Sequence, residues 1–254
     1  MLLFIRSAVP AWFRVISDTP REIIGAVNIE IEGGVGSIHA TLRIREERDA
    51  IVVGENFPGE TYPAICHERH IQSDHNFCIG LNAGAGIVTR DHAVVWWGLL
   101  ERFLRLQRVA KRTRRWPPQQ EIAHGKAGPH QLKAFNAARQ LGLEQDYLRM
   151  LEGEAIWFAS KWPKLSTDGR MRNGRAPCPN GCLRKDGKAI LRSDCCRAEA
   201  IGTLLREERL RRKEIAKFWD SINASNEECC GTMQICPLSK KKTKLCITSG
   251  ASNE

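Results

Sequence analysis

The segment from Tyr62 to Gly80 places two cysteines, Cys66 and Cys78, and three histidines, His67, His70 and His75, within 13 positions. Three chemistries suit that set. Thiolate and imidazole are zinc ligands, so Cys66, His67, His70, His75 and Cys78 can be read as a metal site, although no Cys-x-x-Cys pair opens it. Cys78, between Phe77 and Ile79, can equally be a small apolar thiol in a packed loop, with satisfied histidines beside it. The third reading is a nucleophile, because thiolate is the reactive species and cationic or hydrogen-bonding neighbours raise its availability. Acyl transfer at such a thiol also needs a donor for the developing oxyanion, which an imidazole on a rigid loop supplies. By sequence order His70 is best placed for that role, with His75 the alternate.

A second group, Cys178, Cys182, Cys195 and Cys196, puts four thiols in 19 positions. Soft thiolates at that spacing suit tetrahedral zinc, and Gly181 and Gly187 permit the turns around it. A structural zinc is the expected cofactor, against a competing reading as buried or oxidisable free thiols. Cys229, Cys230, Cys236 and Cys246 crowd the end of the chain without comparable order, and no ligand role is expected of them. The apolar start, Met1 to Ile5, is interrupted by Arg6 and has no positive leader, so a cytoplasmic protein is expected. Disulfides are disfavoured there, which leaves catalysis and metal binding to account for ten cysteines.

These groups need a scaffold. Val27–Glu32 and Ile38–Ile44 alternate apolar and polar residues around Gly33-Gly34, which predicts a half-buried antiparallel hairpin inside a strand-rich stretch from Ile23 to Val53. Phe57-Pro58-Gly59 and Tyr62-Pro63 break the sheet. The stretch from Cys66 to Arg90 has little periodicity and reads as a long functional loop. A helix capped by Asp91 is expected next, with Trp96, Leu99, Phe103, Leu106 and Ala110 three or four apart and Trp97, Leu100 and Leu104 widening the apolar face. Its terminal basic run, Lys111 to Arg115, suits the helix dipole. Further helices are expected at about 131–149, more weakly at 152–160, and at 198–222, with a connector at 169–177. The expected division is a first domain over 1–116, a helical extension over 117–170, a cysteine-rich module with a basic helix over 171–222, and a disordered tail over 223–254.

Composition limits the class. The chain has 254 residues, 42% hydrophobic and 27% charged, a balance that excludes a wholly disordered protein. No apolar run reaches the roughly 18 residues of a membrane span, so no membrane partner is expected. Net charge is +10, concentrated late: residues 171–254 hold 17 Lys/Arg against 10 Asp/Glu, and residues 1–170 hold 22 against 19. Such a surplus suits nucleic acid, an acidic partner or solvent. In the helix near 198–222, however, Glu207, Glu208 and Glu214 lie among Arg206, Arg209, Arg211, Arg212 and Lys213, which favours an ion-paired face over a nucleic-acid surface.

Hairpin, meander, Tyr62-Pro63 turn, irregular cysteine-bearing segment and Trp-containing helix together resemble the ubiquitin-conjugating enzymes over about residues 20–116. That family places His-Pro-Asn, an apolar residue and then a cysteine seven positions further on. Ile71 and Cys78 keep the step, and Glu68-Arg69-His70 fills the triplet's slot, so His70 stands where the family's oxyanion-stabilising Asn would be. The replacement is similar to that in divergent bacterial conjugating enzymes, and Trp96-Trp97 falls near the family's Trp. The resemblance implies an α+β fold: a UBC-like antiparallel meander sheet flanked by helices, followed by a helical region and a small Cys-rich module. It also implies that Cys78 accepts the C-terminal glycine of a ubiquitin-like protein, or of a tailed target, from an adenylating activating enzyme as a thioester and passes it to an amine. Bacterial relatives serve antiphage defence by modifying a nucleotidyltransferase, and a similar partner is implied. Cys178-Pro179-Asn180-Gly181-Cys182 with Cys195-Cys196 is similar to zinc knuckles appended to bacterial proteins. Two other functions compete: a zinc-containing nucleic-acid-binding or adaptor protein without catalysis, and a degenerate conjugating fold that only holds partners.

Overall fold

In the computed structural model, which describes residues 1–31, 36–117, 120, 122–154, 164–168, 171–178 and 181–239, the expected alternation becomes the centre of a sheet. Strands β1 (Phe13–Asp18), β2 (Glu22–Glu30), β3 (Ser37–Glu47) and β4 (Ala50–Glu55) form an antiparallel meander in sequence order. The register sets Ile23 against Ile44, Val27 against Ala40 and Ile29 against Ile38, so buried apolar side chains of β2 and β3 share one face. The Gly33-Gly34 turn lies outside the described residues. β1 carries no such alternation: only Phe13 is buried, as suits an edge strand, and its residues show no periodic signal.

Helix α1 (Leu2–Ser7) and helix α2 (Arg90–Thr113) cover that face. The cap of α2 is Thr89, whose hydroxyl accepts the His92 N–H at 3.2 Å, rather than the expected Asp91. Ala93, Trp96, Trp97, Leu100, Phe103, Leu104, Gln107 and Ala110 are buried, whereas Leu99 and Leu106 are half-buried. The apolar seam is thus rotated by about one residue from the expected one, and it contains a polar member, Gln107. Trp97 anchors the layers, with its ring 4.8 Å from Phe13 and its indole N–H on the Ile5 carbonyl at 3.1 Å. Each large side chain buried in this way contributes about 1.5–3 kcal/mol.

The long stretch after β4 is not a free loop. It runs back along β4, with the Phe77 N–H on the Val53 carbonyl at 2.7 Å and the Ile51 N–H on the Gly84 carbonyl at 2.8 Å. Two glycines make that approach feasible: a Cβ at Gly54 would lie 2.6 Å from the His75 carbonyl oxygen, and one at Gly84 only 1.9 Å from that of Ile51.

The chain divides into two compact units. The first holds residues 1–117 and takes back the chain from Asn226; the second is Pro118–Ser225. Residues 223–239 therefore depart from the expected tail: helix α5 (Ala198–Ala224) ends, and residues 226–239 pack on the first unit. In the second unit the helix expected over 131–149 is two, α3 (Ala127–Gln140) and α4 (Glu144–Leu151), separated at Gly142, which takes a φ of +71. Ala134, Ala137, Ala138, Tyr147, Met150, Ile201, Leu204 and Leu205 form one core, with Leu165, Met171 and Cys195 packed against it. Helical extension and cysteine-rich module are thus one unit, without the expected boundary near 170. Most of the weak helix at 152–160, part of the connector, and the chain from 240 onward lie outside the described residues. On α5, Arg211 and Arg212 pair with the fully buried Glu208, Arg206 with Glu207 and Lys217 with Glu214, the ion-paired face expected from the mixed signs. Among the described residues no helix is long and apolar enough to cross a membrane.

Candidate active site

The Tyr62-Pro63 turn is fixed from the end of β4. Glu55 is buried, and its carboxylate accepts the N–H groups of Gly59 at 3.1 Å, Thr61 at 2.5 Å and Tyr62 at 3.4 Å. The Tyr62 ring then meets Phe77 edge-on at 5.6 Å, and Phe77 stacks on Phe103 of α2 at 5.0 Å. Sheet, turn and helix thereby converge on the residue next to Cys78.

Between them the chain folds into a tight hairpin. Cys66 and Ile71 exchange both backbone hydrogen bonds at 3.0 Å around the 3-10 turn His67–Arg69. Gln72 accepts the His75 N–H at 2.9 Å and donates to the Asn76 carbonyl at 2.9 Å, and the Cys78 N–H donates to the His70 carbonyl at 2.8 Å. His70 and Cys78 are therefore direct neighbours across the hairpin. His70 ends the 3-10 turn in the left-handed region at φ 55, and His75 at its tip takes φ 65, conformations uncommon for residues other than glycine. Asn76, buried two residues before Cys78, is committed to this architecture: its amide donates to Asp74 at 3.0 Å and its oxygen accepts from Arg45 at 3.3 Å.

Side-chain surroundings differ around the hairpin. Cys78 is half-buried, and burial pushes its thiol pKa up, an effect the Gly80 N–H partly offsets. The His70 ring is buried against Trp116 at 4.8 Å. His75 Nδ1 lies 3.0 Å from the Ala64 carbonyl, and since a carbonyl only accepts, Nδ1 carries the hydrogen and Nε2 of the neutral ring is left as an acceptor. The structure thus brings His70, His75 and Cys78 onto one hairpin. Cys66 stands at its base and His67 is turned to Glu227, whose carboxylate accepts from His67 Nε2 at 2.7 Å and from the Ser73 hydroxyl at 2.6 Å. Glu55, Asn76 and Glu227 support the hairpin and were not singled out from the sequence. Asn76 had a usable signal, an Asx pair with Asp74 in a turn, but Glu227 lies 160 residues from His67 and had none.

The second cysteine group lies on a short knuckle of the other unit. The Cys178 N–H donates to the Ile190 carbonyl at 2.7 Å, the Ile190 N–H donates to the Cys182 carbonyl at 2.9 Å, and the Gly181 N–H returns to the Cys178 carbonyl at 3.0 Å. Cys178 is buried and in thiol–thiol contact with Cys195, and burial chiefly, with the nearby Cys178 and Cys196 thiols, pushes the Cys195 pKa up. Among the described residues no three His, Cys, Asp or Glu side chains converge into a metal-holding group. What fits zinc is the chemistry of the donor set, four thiols on one knuckle with two already in contact.

Residues 12–118 match the model of the prokaryotic E2 domain, and residues 123–238 match that of a cysteine-rich domain C-terminal to E2 domains. No curated protein and no solved structure matches the chain.

Proposed function

The chain carries a prokaryotic E2 domain followed by the cysteine-rich domain that lies C-terminal to such domains, and from that premise we propose that Cys78 is the acyl carrier of a ubiquitin-conjugating-type transferase. One observation carries the reading: within the E2 domain, Cys78 is half-exposed on a hairpin that sets it directly across from His70.

The Cys78 sulfur attacks the thioester carbonyl between an adenylating activating enzyme and the C-terminus of a ubiquitin-like modifier or tailed target. A new C–S bond forms, the old one breaks, and the proton of Cys78 passes to the leaving thiolate. In the second step an amine attacks the carbonyl, the oxygen gathers negative charge, and the Cys78 thiolate leaves while the amine loses a proton. His70 is assigned as donor to that oxyanion, since its backbone lies directly across from Cys78 and its ring is held against Trp116. With its hydrogen on Nδ1 given to Ala64, neutral His75 is suited to accept a proton at Nε2 rather than to donate. A nucleotidyltransferase of an antiphage system is the class of target this reading favours. Zinc would be held by Cys178, Cys182, Cys195 and Cys196 and would supply a crosslink that stabilises the knuckle. A cytoplasmic setting, with reduced thiols, suits both groups.

The test is formation of a thiol-labile adduct by the full chain with activating enzyme, ATP and modifier. Wild type should form it and Cys78→Ala should not. An adduct that persists in Cys78→Ala, or wild type that binds the activating enzyme without forming one, would overturn the assignment.

A further inference from the structure

Away from the Cys78 hairpin's open face, two cysteines far apart in sequence meet. The Cys230 sulfur lies 2.9 Å from that of Cys66, 164 residues earlier, and 3.1 Å from the Thr232 hydroxyl. Cys66 is 5% exposed, whereas Cys230 is half-exposed and lines a cleft of about 460 Å³ with Tyr62, Arg69, Lys111, Arg114 and Thr232.

The charge at this cleft is unbalanced. Arg69 is 2% exposed, and its guanidinium donates to the side-chain oxygen of Gln107 at 2.7 Å and to the Gln107 carbonyl at 3.2 Å, both neutral acceptors. Among the described residues no carboxylate forms an ion pair with it. A buried guanidinium without a counter-charge is costly, so an anion beside it is favoured. Cys230 supplies one. Its pKa is pushed down by the hydrogen bond it shares with Cys66, against the opposing effect of burial, with help from Thr232 and Arg69. Cys66 is pushed up by the same hydrogen bond and by burial, and keeps its proton.

We propose that Cys230 and Cys66 are a thiol pair oxidised by hydroperoxides, with Cys230 the attacking thiolate and Cys66 the thiol that resolves it into a disulfide. Cys230 attacks one oxygen of hydrogen peroxide: an S–O bond forms, the O–O bond breaks, and hydroxide leaves to take up a proton, beside the cations of Lys111 and Arg114. Cys66 then attacks the sulfenic sulfur; the S–S bond forms, the S–O bond breaks, and the oxygen leaves as water with the Cys66 proton. Two thiols lose two electrons, and peroxide is reduced to two waters. The disulfide fixes residues 226–239 to Cys66, the base of the hairpin that presents Cys78. Neither sulfur belongs to the proposed thioester site, so the pair is testable without any modifier.

The experiment uses the full chain, reduced, desalted, treated with stoichiometric hydrogen peroxide, blocked with a maleimide and mapped by non-reducing peptide mass spectrometry. The expected product is a Cys66–Cys230 crosslinked peptide, two hydrogens lighter than the separate thiol peptides and reversed by dithiothreitol. Cys66→Ser should stop at a Cys230 sulfenic acid that dimedone traps, and Cys78→Ala should crosslink like wild type. A disulfide from Cys230 to Cys229 or Cys236 with Cys66 still alkylatable would overturn the proposal. So would protection of both thiols that ends when a chelator removes one zinc per chain.

Discussion

Cys78 and Cys230 sit in the same unit, both half-buried, and their surroundings push them in opposite directions. Cys78 is flanked by Phe77 and Ile79 and receives one backbone N–H, from Gly80, so desolvation dominates and the thiol is favoured. Cys230 hydrogen-bonds the Cys66 thiol and the Thr232 hydroxyl near a buried guanidinium, so the thiolate is favoured despite burial. The difference separates two uses of sulfur. A thiol of high pKa is a poor leaving group and resists oxidation at neutral pH, which suits an acyl carrier that must hold its cargo until an amine arrives. A stabilised thiolate is a target for peroxide.

The largest expected effect separates the sites by mutation. His70→Ala should slow discharge of a preformed Cys78 thioester to an amine by about a hundredfold, the cost of losing a main oxyanion donor, while His70→Asn restores much of it. Cys66–Cys230 crosslinking by peroxide should be unchanged in both variants. If zinc content falls with discharge in His70→Ala, the imidazole is a ligand and the oxyanion role is lost.

The next effect is on stability. Gln107 gives Arg69 two acceptors and takes the Arg69 carbonyl through its own amide at 2.5 Å, deep under α2. Gln107→Leu keeps the volume and the backbone acceptor but strands the Arg69 Nε–H and the Arg69 carbonyl, so it should cost about 2 kcal/mol in urea unfolding of the full chain. An unchanged urea midpoint would mean that Arg69 finds other partners and that its field on Cys230 is not fixed by this network.

How much of this was legible in the sequence depends on whether the signal was local. The β2–β3 hairpin and α2 announced themselves because their burial has a period that the residues repeat, and the step from Ile71 to Cys78 carried the resemblance to the conjugating enzymes. β1 buries one residue in six and has no period to read. The seam of α2 was misplaced by a residue because Gln107, a polar side chain, belongs to it and is satisfied only by an arginine 38 positions away. Gly142 divides α3 from α4 through a left-handed φ that the surrounding apolar pattern does not show. The return of residues 226–239 is the greatest omission: Ser, Lys and Cys without period read as disorder. Order comes instead from specific long-range bonds, such as the Gln234 N–H on the Arg114 carbonyl at 2.8 Å and Arg115 on the Gln234 side chain at 2.8 Å. The basic run that suited the helix dipole also anchors this segment.

A pH profile sharpens the comparison without mutation. Iodoacetamide labelling of Cys78 should rise about tenfold per pH unit from pH 6 to 9, since its thiolate fraction is still growing there, whereas Cys230 should level off at lower pH and react roughly tenfold faster at pH 7. Parallel profiles, read by mass spectrometry of the two peptides, would remove the distinction.

The smallest effect concerns what holds the two regions together. Glu227 accepts from His67 Nε2 and from the Ser73 hydroxyl, so one carboxylate of the returning segment binds both ends of the Cys78 hairpin. In Glu227→Gln one oxygen remains to accept from one of those donors, while the amide presents hydrogens to the other. Half the clamp survives, and the expected cost is about 1 kcal/mol, or about fivefold in the local opening equilibrium. Amide hydrogen exchange over residues 226–236 should accelerate by that factor while the β2–β3 core exchanges as before. Crosslinking of Cys66 to Cys230 should persist, because the Gln234 and Arg115 contacts still bring the segment back. If exchange across the whole first unit accelerates equally, Glu227 supports the fold globally and is no local clamp; if crosslinking is lost with the clamp, Glu227 is what sets Cys230 against Cys66.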